Sequence, residues 1–148
     1  MIDRVKNIGR IAVSGLLVAS FAFASGCGDG RPQRVPVSGV VLIDGAPVQH
    51  GFVTFTPPKG RSASGQIDAE GRFTLASYEP GDGTLRGPNR VAVMARESLS
   101  ETQTKWHAPE KYADPNSSGI EIDITGPTDD LKLELTWGNG KPYIETNG

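Results

Sequence analysis

Two stretches late in the chain alternate strictly between apolar and polar residues. Ile120, Ile122 and Ile124 alternate with Glu121, Asp123 and Thr125, and Leu131, Leu133 and Leu135 with Lys132, Glu134 and Thr136. A period of two is the signature of a strand with one buried face. Shorter runs of the same kind come earlier. Val35 to Ile43 predicts a first strand, closed by Asp44-Gly45, a dipeptide that accepts positive φ in a hairpin turn. Gly51 to Thr56 predicts a second, with Val53 and Phe55 inward and Pro57-Pro58 stopping it. Ser64 to Ile67 and Arg72 to Ala76 predict a hairpin about Asp68-Ala69-Glu70-Gly71, with Phe73 and Leu75 on the buried face. Arg90 to Ala95 adds a strand whose Val91 and Val93 point inward.

These are seven strands, separated by Gly, Pro, Asp and Asn clusters at intervals of roughly ten residues, the spacing of an all-β sandwich or barrel. Long helical periodicity is absent, and the 19 glycines and 11 prolines fall mostly between the runs. Glu97 to Gly119 reads as a long polar connection with a helical turn near Lys105 to Tyr112. The sandwich is expected over 35–137, and the end, 138–148, reads as a disordered tail.

The N-terminal part has a different pattern. Arg4, Lys6 and Arg10 precede an uncharged stretch from Ile11 to Gly26, shorter than the roughly 20 residues of a transmembrane helix. A basic start, a short apolar run and small residues at its end make up a secretory signal peptide, expected over 1–26. The run ends Ala24-Ser25-Gly26-Cys27, and Cys27 is the only cysteine, so no internal disulfide can form. Ala-Ser-Gly-Cys resembles the bacterial lipobox, with Ala24 where that motif usually has Leu. The resemblance implies cleavage between Gly26 and Cys27, with acyl chains on Cys27. One acyl chain binds a membrane only marginally; the two or three that the motif implies hold stably, at roughly 0.8 kcal/mol per buried methylene. Residues 27–34 then form the lipidated cysteine and a flexible polar tether. Gly28 follows the cysteine, with Asp29 one place further on, which leaves inner and outer membrane both open.

Removing Arg4, Lys6 and Arg10 from 15 basic residues leaves 12, and removing Asp3 from 17 acidic residues leaves 16. A mildly acidic mature chain argues against nucleic acid as a partner.

The strand residues carry a second resemblance. Val37-Ser38-Gly39-Val40-Val41, Asp44-Gly45-Ala46-Pro47-Val48 and Val53-Thr54-Phe55-Thr56-Pro57 are similar to the start of a carboxypeptidase-regulatory-like, or transthyretin-like, domain. Gly65 to Leu75 resembles its next hairpin, and Gly81-Asp82-Gly83, Pro109-Glu110-Lys111-Tyr112 and Ser117-Ser118-Gly119 resemble small lipobox-bearing members. The resemblance implies a seven-stranded Greek-key sandwich over roughly Val35 to Leu135 and says almost nothing about function. Gly87-Pro88-Asn89-Arg90-Val91 departs from the group's usual Gly-x-Tyr-x-Val, and Pro88 is expected at a strand edge.

Catalytic chemistry is not expected. The hydrolase among transthyretin-like proteins ends in Tyr-Arg-Gly-Ser, whereas this chain ends Tyr143-Ile144-Glu145-Thr146-Asn147-Gly148. No Gly-x-Ser-x-Gly elbow, phosphate loop or paired-histidine zinc motif occurs. His50 reads as a solvated loop group. Asp68, Glu70, Asp82 and Asp114 read as turn residues rather than calcium ligands, so neither metal nor cofactor is expected.

The candidate binding surface is the polar connection holding Trp106, His107 and Tyr112. Exposed aromatics can anchor a partner, and Trp106 is open to that role or to packing, whereas Tyr112 is expected to pack its ring on the sandwich and hydrogen-bond a backbone group. The expected function is a non-enzymatic, lipid-anchored structural or recognition module of the cell envelope, with an envelope protein or polysaccharide as partner. A periplasmic carbohydrate-binding module, which requires an exposed Trp106, and a degenerate hydrolase are the alternatives.

Overall fold

The period-two patterns become strands, and sheet pairing sorts them into two layers. The computed structural model describes residues 30–148. The leader expected over 1–26, its cleavage point and Cys27 lie outside the described residues. Arg31–Gly148 is a single compact unit. Its elements are β1 (Arg34–Val35), β2 (Val37–Ile43), β3 (Ala46–Pro47), β4 (Phe52–Thr56), β5 (Ala63–Gln66), β6 (Arg72–Thr74), β7 (Thr84–Leu85), β8 (Gly87–Met94), β9 (Arg96–Ser98) and β10 (Gln103–Trp106). A 3₁₀ turn (Glu110–Ala113), β11 (Ile120–Ile124), β12 (Thr128–Leu135) and β13 (Tyr143–Thr146) complete them. The domain is all-β, with thirteen strand segments among the described residues where the pattern predicts seven. The extra segments are two to four residues long, too short for alternation to reveal.

One sheet runs β11-β8-β4-β5, with every neighbour antiparallel. The other centres on β2. Along one edge β12 pairs parallel to it, Lys132 opposite Val40 and Leu135 opposite Ile43. The other edge is shared by β6, opposite Ser38–Val40, and β3, opposite Leu42 and Ile43. The β2–β3 hairpin turns on Asp44 (φ 49°) and Gly45 (φ 85°), the two positive φ values of a type I′ turn. Val37, Val41, Phe73, Leu133 and Leu135 from this sheet meet Val53, Phe55, Val91, Val93 and Ile124 from the first in one core, as in a β-sandwich. The rings of Phe55 and Phe73 lie 6.3 Å apart across the two layers. Val53, Phe55, Phe73, Leu75, Val91 and Val93, the inward residues of the earlier strands, are buried, as are Ile124, Leu133 and Leu135, whereas Ile120, Ile122 and Leu131 are only partly buried against the core.

Three expectations change. The stretch 63–76 is not a simple hairpin. Its turn forms as predicted, with the Asp68 carboxylate accepting from the amides of Glu70 (3.0 Å) and Arg72 (2.8 Å). Beyond it, however, β5 joins β4 in one sheet and β6 joins β2 in the other, leaving only the Ser64–Ala76 bridge between them. The chain therefore turns a corner from layer to layer there, a choice made by distant strand edges. Second, the polar connection 97–119 carries the expected helical turn, as the 3₁₀ turn at Glu110–Ala113, but also most of β9 and all of β10, which the pattern does not predict. Third, the end of the chain is not a disordered tail: β13 pairs antiparallel with β10, giving a three-stranded sheet in the order β13-β10-β9.

Pro88 meets its expectation. It stands in β8 opposite Asp123 of β11, and β4 ends opposite Arg90, so β8 has a neighbour on one side only at that point. The next residue, Asn89, is fully buried. Its amide donates to the carbonyls of Leu85 (3.1 Å) and Gly87 (2.9 Å) and accepts from the hydroxyl of Thr84 (3.0 Å).

Candidate functional site

The residues singled out from the sequence sit on or beside β10, and they part company there because successive side chains of a strand point to opposite faces. Trp106 takes one face. It is only 5% exposed, not the surface anchor that a binding aromatic requires. Its indole N–H donates to Oε2 of Glu145 at 2.9 Å, and the ring of Tyr143 stacks on it with centroids 6.3 Å apart. Both partners belong to β13, so the segment read as a tail is what covers the tryptophan. Trp137 adds an edge contact to Tyr143. What remains of the Trp106 face borders an open groove with Arg96, Thr104, Glu110, Lys111 and Glu145.

Tyr112 is buried in the main core, as expected for a ring packed on the sandwich. Its hydroxyl donates to the carbonyl of Thr136 (3.4 Å) and accepts from the amide of the same residue (3.3 Å). Tyr112 therefore fastens the 3₁₀ turn to the end of β12 and offers no ring to a partner.

Truncating Trp106 should act as a packing change. Trp106→Ala is expected to destabilise the β13-β10-β9 sheet by about 2 kcal/mol, the scale of one buried large side chain. Amide exchange at Tyr143–Thr146 should accelerate well before exchange in β2 or β8. Unchanged protection there would mean that β13 does not depend on the tryptophan.

His107 follows Trp106 and lies on the other side. Its Nε2 donates to Oε2 of Glu97 at 3.0 Å. A carboxylate is an acceptor only, so Nε2 carries the proton in this pair. The backbone holds the geometry: Glu97 is paired opposite Lys105 in β9–β10, and the His107 amide donates to the Ala95 carbonyl at 2.8 Å. The hydrogen bond from His107 keeps the Glu97 carboxyl below its ordinary range; slight burial works against this, and His50 and Lys105 reinforce it.

The third member comes from a distant part of the chain. His50 is an exposed loop residue, as predicted, yet its ring lies 4.8 Å from that of His107, tilted by 40°. Gly51 accounts for this placement. At φ 116° it lies so close to Met94 and Ala95 that a Cβ would fall 2.0 Å from the Met94 carbonyl oxygen. Only glycine tolerates both the dihedral and the approach, and the contact sets His50 beside the start of β9. Ligand-type atoms of His50, Glu97 and His107 all lie within 4.8 Å of one another. Sequence reading missed the cluster because the three residues come from separate segments with no motif spacing.

A second group of charges gathers near the start of the described chain. The guanidinium groups of Arg31, Arg34 and Arg61 stand 4.5, 4.4 and 5.0 Å from the centre of the Tyr78 ring. Beside them the Asp82 carboxylate accepts from the amides of Ser77 (2.6 Å), Tyr78 (3.0 Å) and Glu79 (3.3 Å). Burial alone would raise this carboxyl, but the three amides, helped by Arg34, bring it below its ordinary value. Asp82 is thus a turn-forming group, as its sequence context predicts.

Compared with protein-family models, curated proteins and solved structures, the chain matches none.

Proposed function

We propose that this chain is a non-enzymatic, lipid-anchored structural or recognition module of the cell envelope, held outside the cytoplasm through acyl chains on Cys27. The observation that carries this reading is the order of parts: a basic start, a short apolar run, Ala24-Ser25-Gly26-Cys27, and directly afterwards an all-β domain. No helix among the described residues is long and apolar enough to cross a membrane. The quoted strand motifs support a seven-stranded Greek-key sandwich of the transthyretin-like kind as the underlying fold, decorated here by the β13-β10-β9 sheet. The partner is an envelope protein or polysaccharide. The carbohydrate-binding alternative depended on an exposed Trp106, and that ring is covered by Tyr143.

Metabolic labelling with a fatty acid tests the anchor. Wild-type chain expressed in a bacterium should incorporate label and sediment with membranes. Cys27→Ser should lose the label completely and accumulate as uncut precursor, because the thiol is the acylated atom. Equal label in both would end the anchor reading.

A further inference from the structure

We propose that His50, Glu97 and His107 form a binding site for a divalent transition metal of borderline softness, Zn²⁺ or Cu²⁺. Two imidazole nitrogens and one carboxylate oxygen are a donor set that such ions prefer, whereas calcium and magnesium take oxygen. The spacing is close to what binding needs. Ligands about 2.0–2.1 Å from a tetrahedral ion stand roughly 3.3 Å from one another. Glu97 and His107 already meet at 3.0 Å, and the widest separation in the cluster is within 4.8 Å. His50, an exposed side chain on a loop, closes the difference by a rotamer adjustment while the two strand-borne ligands stay in place.

An ordinary surface ion pair accounts for Glu97 and His107 but not for His50. The second imidazole is held there by Gly51, whose close approach to Met94 and Ala95 fixes the loop beside β9. Binding would replace the proton on His107 Nε2 with the metal, so the Glu97–His107 hydrogen bond becomes a pair of coordinate bonds and one proton is released to solvent. Three protein ligands leave a coordination position open to water or to a side chain from a partner. Once bound, the metal ties the loop before β4 to the β9–β10 ribbon. It thereby joins the first sheet to the small sheet through side chains as well as backbone.

The test uses the full chain in detergent micelles, without a polyhistidine tag, titrated calorimetrically with Zn²⁺ and separately with Cu²⁺. One ion per chain is expected. His50→Ala and His107→Ala should each weaken binding by about a hundredfold or more, since even outer-shell partners are worth roughly 10–100-fold. Glu97→Gln should weaken it as well, and Glu134→Gln, an exposed carboxylate on β12, should not. His50→Ala keeps the metal-free melting temperature, so its lost affinity cannot be put down to misfolding. Electron paramagnetic resonance of the Cu²⁺ form should show coupling to two imidazole nitrogens, falling to one in His50→Ala. Binding of Cu²⁺ alone in this manner makes copper the occupant. Absence of binding by both ions up to millimolar concentration, or binding unaffected by His50→Ala, overturns the proposal.

Discussion

Replacing Phe55 by alanine should destabilise the domain by about 3–5 kcal/mol, the range of buried aromatic-to-alanine changes. Phe55 is fully buried in β4, and its ring meets Phe73 of the opposite layer. The pairs Phe55–Val91 and Phe55–Ala63 place it between two strands of its own sheet, which restricts how far the neighbours can collapse into the cavity. A cavity between paired sheets stays open, and the cost increases with the volume left empty. Urea unfolding should show a lower midpoint with an unchanged slope, as expected when stability alone changes. Phe52, three residues earlier and 51% exposed, is the comparison: Phe52→Ala should change stability by no more than about 0.5 kcal/mol. Equal effects at the two positions would mean that the inward face of β4 is misassigned.

Asn89→Ala should rank second, with a loss of about 3 kcal/mol. Its side-chain amide makes three hydrogen bonds from a fully buried position, and its removal orphans the buried Thr84 hydroxyl and leaves the part-buried bonds to the carbonyls of Leu85 and Gly87 unmade. Each buried polar group left without a partner costs about 1–3 kcal/mol, although relaxation or an entering water recovers part of the sum. Amide exchange should report the damage first in β7 and its partner β1, the strand pair that begins the domain. Asn89→Asp should not rescue the protein, because it keeps the acceptor for Thr84 but loses both donated bonds and introduces a buried charge. Arg90→Ala, at the adjacent exposed position, should leave stability almost unchanged. Wild-type stability in Asn89→Ala would show that Thr84 and the two carbonyls find other partners.

These two residues illustrate how unevenly the chain could be read in advance. Phe55 was legible because burial imposes a period of two on a strand, and the sequence from Phe52 to Thr56 displays it. Asn89 was visible only as part of a stretch departing from a family pattern. Nothing local announces that its amide will face three partners, since Thr84, Leu85 and Gly87 take up their positions only when β7 turns into β8. Trp106 falls between the two cases. Its presence in a polar segment suggested a surface role, but its environment is supplied by Tyr143 and Glu145, whose own segment looked like a frayed end because it is short, polar and glycine-flanked.

The all-β class, the turns at Asp44-Gly45 and Asp68–Gly71 and the inward alternation of the long strands could be read from the residues alone. All of these depend on interactions within a few residues: side-chain alternation, positive φ at glycine, and a carboxylate folding back on nearby amides. Packing of distant segments is what separates β5 and β6 into different layers, runs β12 parallel to β2 and lays β13 over Trp106. It alone brought His50 to Glu97 and His107. Each of these outcomes depends on which strand edge or backbone carbonyl stands free after distant segments have packed, as Gly51 against Met94 and Ala95 makes plain. Such contacts join residues with no fixed spacing along the chain and so leave no periodic mark in it.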